Sequence, residues 1–75
     1  MRELKNQLYD QVARLGKAMA NPKRFELIEL LCQSEKTVEM LAAQAEISVK
    51  LASAHLKELR LARLVDTRRD GKYVL

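Results

Sequence analysis

The sequence predicts a mainly α-helical domain of four helices closed by a two-stranded β-hairpin. Three observations carry this. Apolar residues recur at spacings of three and four along most of the first sixty positions, the signature of helices with one buried face. Three cap signals, Asn21-Pro22, Thr37 and Ser48, divide that stretch. After Val65 the helical period is lost, and Asp70-Gly71 marks a tight turn between two short extended runs.

Leu4, Leu8, Val12, Leu15 and Met19 form one apolar stripe on a first helix, with Arg2, Glu3, Lys5, Asp10 and Arg14 off it. Asn21 then caps a second helix. Pro22 takes its first position, where a missing N–H costs nothing. Arg24, Leu27, Ile28 and Leu31 lie on the second stripe, which fades at Gln33-Ser34-Glu35-Lys36. Thr37 caps a short third helix, with Glu39 in the first turn, where the helix dipole favours an anion. Val38, Leu41 and Ala42 face inward, and Ala45-Glu46-Ile47 leaves room only for a tight turn. Ser48 caps a fourth helix with Ala52, Leu56 and Leu59 on one side. Val65-Asp66-Thr67 and Lys72-Tyr73-Val74 are the strands of the hairpin. A short helix joined by about three residues to a second helix is the helix-turn-helix arrangement, spanning 37–62 here. A basic hairpin directly after it, at 64–75, makes the winged form, with residues 1–75 as one domain. An isolated hairpin is marginal in water, so this one must pack on the helices.

The 75 residues carry a net charge of +4, and its placement is uneven. Residues 1–47 hold seven Lys/Arg and seven Asp/Glu, a net of zero, whereas 48–75 hold seven Lys/Arg against Glu58, Asp66 and Asp70. A neutral half joined to a basic half suits a scaffold plus a surface for a polyanion. A chain this short buries a thin core, which favours an oligomeric partner. With one cysteine, Cys32, no internal disulfide forms, and a reducing compartment fits. No apolar run is long enough to span a membrane, and the first twenty residues mix both charge signs, unlike a signal peptide. No Ser/His/Asp set, paired acids or phosphate-binding glycine loop suggests an enzyme. No cofactor is implied, and the lone His55 lacks companions for a metal.

The segments LGKAMANPKRFELIELL, TVEMLAAQAEIS, AHLKELRLARLV and RRDGKYVL, in this order and spacing, resemble the ArsR-type winged helix-turn-helix transcriptional regulators from about residue 12 onward. The most specific parts are Asn21-Pro22-x-Arg24, Leu41-Ala42, Ser48 with His55-Leu56, and Leu59 to Val65. The resemblance implies a cytoplasmic homodimer that binds operator DNA and represses transcription until an inducer releases it. Three departures stand out. The positions of the metal-binding cysteine pair of many relatives are Thr37 and Glu39 here, so that thiolate site is missing. The turn position usually held by glycine is Glu46, strained by about 1 kcal/mol if the turn needs a positive φ. Relatives continue past the wing into a further helix that helps the dimer and often holds a sensor site. The resemblance therefore implies a native chain longer than this one, and the inducer stays open.

On this reading Thr37 and Ser48 lie at helix N-termini that meet double-stranded DNA, with Ser48 and the first amides of the fourth helix approaching a phosphate. Val49, Lys50, Leu51, Ser53 and Ala54 face base edges, and Lys50 is the residue able to take a guanine directly. His55 is expected to be half-buried, with its ring donating to a phosphate. Lys57, Lys72 and one of Arg68 and Arg69 supply the sequence-independent attraction, since adjacent arginines on a strand point to opposite faces. Leu4, Leu8, Val12 and Leu15 are expected to serve both the core and the dimer interface. Cys32 is expected to be a small buried hydrophobe. The alternative function is a winged-helix protein–protein interaction module, in which Val49, Leu51 and Ala54 dock a partner and the basic residues only solubilise. RNA binding ranks third, because Tyr9, Phe25 and Tyr73 are too scattered to stack bases.

Overall fold

The Asn21 side chain accepts a hydrogen bond from the Lys23 amide at 2.8 Å, so the second helix begins as its cap signal requires. The computed structural model describes residues 1–75 and orders them as α1 (Arg2–Ala18), α2 (Pro22–Gln33), β1 (Lys36–Thr37), α3 (Val38–Ala45), α4 (Val49–Leu61), β2 (Asp66–Thr67) and β3 (Lys72–Val74). Thr37 Oγ1 accepts from the Met40 amide at 3.2 Å, and Ser48 Oγ accepts from the Leu51 amide at 3.0 Å. Each hydroxyl satisfies one of the donors that a helix start leaves without an internal partner.

Helices α2, α3 and α4 pack against one another around Leu27, Leu31, Leu41, Ala45, Leu56, Leu59 and Val65. Helix α1 adds only Ala18 to this buried set. The expectation that the first stripe serves the core is therefore corrected: Leu4, Leu8, Val12 and Leu15 keep 64%, 56%, 59% and 44% of their surface exposed. The long axis is 45 Å and the radius of gyration 13.6 Å, against about 11 Å for a compact chain of this length. A projecting α1 accounts for the excess.

The wing is larger than a two-stranded hairpin. Strand β3 lies between β1 and β2 in a three-stranded antiparallel sheet, with Lys36 opposite Tyr73, Thr37 opposite Lys72, and Asp66 opposite Val74. The two residues of β1 carry no period-2 signal, and only the tertiary fold brings them beside β3. Lys36 is consequently buried, its ammonium donating to Ser34 Oγ at 3.0 Å. The hairpin loop is Arg69-Asp70-Gly71. The Gly71 amide bonds to the Arg68 carbonyl at 3.1 Å, and Gly71 takes φ +81°, the left-handed position that favours glycine.

Helices α3 and α4 end alike. The Ile47 amide reaches back to the Ala42 carbonyl and the Leu64 amide to the Leu59 carbonyl, at 3.0 and 2.9 Å. These six-residue closures place Glu46 (φ 59°) and Arg63 (φ 61°) in the left-handed region. The strain anticipated at Glu46 is present, and Arg63 repeats it.

Candidate nucleic-acid interface

Helix α4 has two contrasting sides. Ala52, His55, Leu56 and Leu59, spaced by three and four, are buried against α2 and α3. Val49, Lys50, Leu51, Ser53, Ala54 and Lys57 occupy the opposite side and are all exposed. The tight Glu46-Ile47-Ser48 turn joins α3 to α4, and the amides of Val49 and Lys50 precede the first residue that a helix can satisfy internally. Because Ser48 Oγ uses a lone pair for its cap, its O–H proton is free for another acceptor. Thr37 is placed in the same way at the start of α3, half-buried beside the wing.

An open groove runs from this side of α4 to the wing, with Ser53, Lys57, Arg60 and Arg63 along one wall and Tyr73 and Asp66 along the other. Four cations, Lys57, Arg60, Arg63 and Lys50, thus lie along the outer side of α4 or at its end. In the wing the three expected cations have different roles. Arg68 Nε donates to a Glu35 carboxylate oxygen at 2.8 Å, tying the hairpin to the segment before β1. Lys72 stands 4.0 Å from Asp70, whereas Arg69 has no acidic partner. Arg69 is therefore the uncommitted arginine at the tip.

His55 is more enclosed than its expected half-buried position. It lies 7% exposed on the inner row of α4, and its Nδ1 accepts a hydrogen bond from Arg24 Nε at 3.1 Å. Burial first, and then the Arg24 guanidinium, hold its pKa below the ordinary value of 6.5, so it is a neutral imidazole with its proton on Nε2. The ring is thus buried more deeply than the half-buried position expected of it, with Nδ1 committed to Arg24. The i, i+3, i+4 and i+7 pattern of Ala52, His55, Leu56 and Leu59 already placed it inside. Cys32 is corrected in the opposite sense, since its thiol is exposed on the outer side of α2. Arg24, Lys23 and Glu35 make cross-links that the sequence alone does not reveal. Arg24 sits on the stripe of α2 and reaches across to α4, and Lys23 Nζ bonds to the Ala45 carbonyl at 2.6 Å, tying α2 to the end of α3. Arg24 carried one signal, a charge on an apolar stripe.

Adjoining the same end of α4, Leu8, Val12 and Leu15 of α1 form a second groove with Leu61 and Leu64. Leu61, like the α1 stripe, is largely exposed. No helix is long and apolar enough to cross a membrane.

Residues 21–67 match the sequence pattern of the bacterial regulatory protein arsR family. The chain is 45% identical over 64 residues to the HTH-type transcriptional regulator Rv0324 of Mycobacterium tuberculosis, covering 85% of this chain and 28% of that protein. It is 42% identical over 57 residues to the nodulation protein NolR of Rhizobium meliloti, covering 76% and 47%. The chain thus spans less than half the length of either regulator. Its fold superposes with a TM-score of 0.89 on the homodimeric winged helix-turn-helix DNA-binding domain Mb0332 (fragment 1–100) of Mycobacterium bovis, at 42% identity over 95% of this chain and 68% of that one. The matched segment runs from the cap of α2 to the first strand of the hairpin, the span that builds the capped, outward-facing α4. With the pattern, the sequence likeness and the winged helix-turn-helix geometry in agreement, the chain belongs to the ArsR family of bacterial regulatory proteins.

Proposed function

We propose that residues 1–75 are the DNA-binding domain of a cytoplasmic, homodimeric transcriptional repressor that holds operator DNA until an inducer releases it, with no enzymatic step. The observation that carries this reading is the two-sided α4, with its inner row fully packed and its outer row without a protein partner. Ser48 and the first amides of α4 approach one phosphate, and Thr37, at the other end of α3, meets the backbone separately. Lys50 and Ser53 make polar contacts to base edges, while Val49, Leu51 and Ala54 meet thymine methyls. Lys57, Arg69 and Lys72 carry the salt-dependent attraction. Arg68 adds to it less directly, because Glu35 holds its guanidinium.

The exposed stripe Leu4, Leu8, Val12 and Leu15 supports the dimer. A monomer leaves these four side chains in water, and burying each one fully is worth about 1.5–3 kcal/mol. Two copies joined through this side present two α4 helices, which suits half-sites one helical turn, about 34 Å, apart.

A mobility shift of the dimer on operator-containing duplex at about 50 and 200 mM salt tests the reading. Three cations per protomer neutralise about six phosphates, which predicts a log–log slope near −5 and an affinity loss of about a thousandfold between those conditions. Absence of binding at the lower salt by an intact dimer would defeat the DNA reading. It would favour the protein-interaction module, in which Val49, Leu51 and Ala54 dock a partner.

A further inference from the structure

One side chain joins three helices of this domain. Arg24 rises from the first turn of α2. Its Nε donates to His55 Nδ1 on α4 at 3.1 Å, and its Nη1 donates to the Lys17 and Ala18 carbonyls at the end of α1 at 3.2 and 3.4 Å. Those carbonyls belong to the last turn of α1, where a helix leaves acceptors unpaired. The same guanidinium therefore satisfies the end of the projecting helix and anchors the inner row of the DNA-reading helix. We propose that Arg24 is a positioning residue that seats α4 for DNA binding, and that its bond to His55 makes this seat proton-sensitive, so that protonation of the imidazole weakens DNA binding. This proposal rests on the DNA-binding reading given above.

The chemistry follows from the donor inventory. Arg24 has only donors to offer, and neutral His55 presents one acceptor, Nδ1. A proton taken from solvent onto Nδ1 turns that acceptor into a second donor and sets an imidazolium against a guanidinium at hydrogen-bond distance. The bond is lost, and like charges replace it. Nothing nearby compensates. The end of α1 brings Lys17, and α2 brings Arg24 and Lys23, whose ammonium is engaged with Glu26 and the Ala45 carbonyl. Around α3 the acids are Glu39 and Glu46, both solvent-exposed. On α4 Glu58, one turn beyond His55, is half-exposed. None of these carboxylates bonds to the ring or to Arg24.

The sign is fixed by the burial and by Arg24, both of which favour the neutral ring in the folded state. Above the ordinary histidine value near 6.5 the seat is intact. As the pH falls below that value the unfolded or unseated chain takes up the proton more readily, and the seat is progressively lost through the depressed folded value. DNA phosphates pull the other way, because they attract added positive charge. The imidazole lies on the inner row of α4, with the helix between it and the interface, and salt screens that attraction within about 8 Å. Loss of the contact bond therefore governs the outcome.

The test exploits the single histidine of the chain, which leaves no second imidazole to titrate between pH 5.8 and 7.5. Operator affinity of the wild-type dimer is measured across that range at constant ionic strength. It is expected to fall about fivefold or more toward the acidic end, the scale of a modest coupling between two sites. His55→Asn keeps an acceptor near the place of Nδ1 without titrating, and its affinity is expected to be flat over the same range. In parallel, the His55 ring is titrated by NMR in the free protein. The wild-type midpoint is expected below 6.5, and Arg24→Gln is expected to move it upward by removing the guanidinium charge. Arg24→Gln is also expected to flatten the acid-induced loss of operator affinity, a pH profile that a purely structural Arg24 would leave unchanged. Wild-type binding that is flat or tightens with acid overturns the proposal, as does a midpoint that ignores Arg24→Gln. Failure to bind DNA even at pH 7.5 defeats instead the DNA reading on which the proposal stands.

Discussion

Replacing Glu46 by glycine should stabilise the domain, and the amount follows from its backbone. Glu46 closes α3 at φ 59° and ψ 45°, a conformation in which a Cβ crowds the following carbonyl. The penalty for an L-residue there is about 1–2 kcal/mol. Glycine removes it, but returns about 0.5–1 kcal/mol through the greater freedom of its unfolded chain. A net gain of about 0.5–1 kcal/mol remains. With an unfolding entropy of about 2.1 cal/mol/K per residue, a 75-residue domain gains roughly 3–6 °C in Tm. The control is Glu46→Ala, which keeps the strained φ and removes only the acid from a helix C-terminus, worth a few tenths of a kcal/mol. The Glu46 side chain makes no ion pair, so neither change breaks a tie. Thermal unfolding is followed by circular dichroism at one fixed protein concentration, because dimer dissociation is linked to stability. If Glu46→Gly proves no more stable than Glu46→Ala, backbone strain is not the operative term and the reasoning is refuted.

Four further outcomes are expected. Val12→Glu places a charge in the apolar groove with Leu8, Leu15 and Leu61, and should yield a folded monomer by sedimentation equilibrium; a dimer of unchanged strength would contradict the proposed interface. Arg69→Ala should reduce the magnitude of the salt slope of DNA binding by about one per protomer, and Arg68→Ala by less, because Glu35 holds Arg68; equal effects would count against that distinction. Leu51→Asn or Ala54→Gln should change the preferred operator in a binding-site selection more than Lys57→Ala does; an unaltered preference would remove α4's outer row from base reading. The exposed Cys32 thiol should react with a thiol reagent in the folded protein within the mixing time, and labelling no faster than global unfolding would show it to be enclosed.

Much of the fold was legible because it is written in local rules. Asn21, Thr37 and Ser48 are caps by virtue of their own side chains, and each accepts the amide that its position dictates. The exposed row Val49 to Ala54 follows from a 3.6-residue period once Ala52, Leu56 and Leu59 are assigned to the core. The misreadings occurred where partners distant in sequence decide. Strand β1 exists only because β3, some 36 residues later, lies beside it. Cys32 follows a core stripe by period but faces outward, because α2 packs along Leu27 and Leu31.

The sequence by itself determined where helices begin, which side of α4 is apolar, and where positive charge gathers, because capping, periodicity and charge depend on neighbours a few positions away. Only the tertiary structure decided that α1 keeps its stripe in water, that Glu35 commits Arg68, and that Arg24 crosses 31 positions to bond His55. Those outcomes depend on contacts between residues whose separation along the chain carries no periodic signal, and packing alone brings them together.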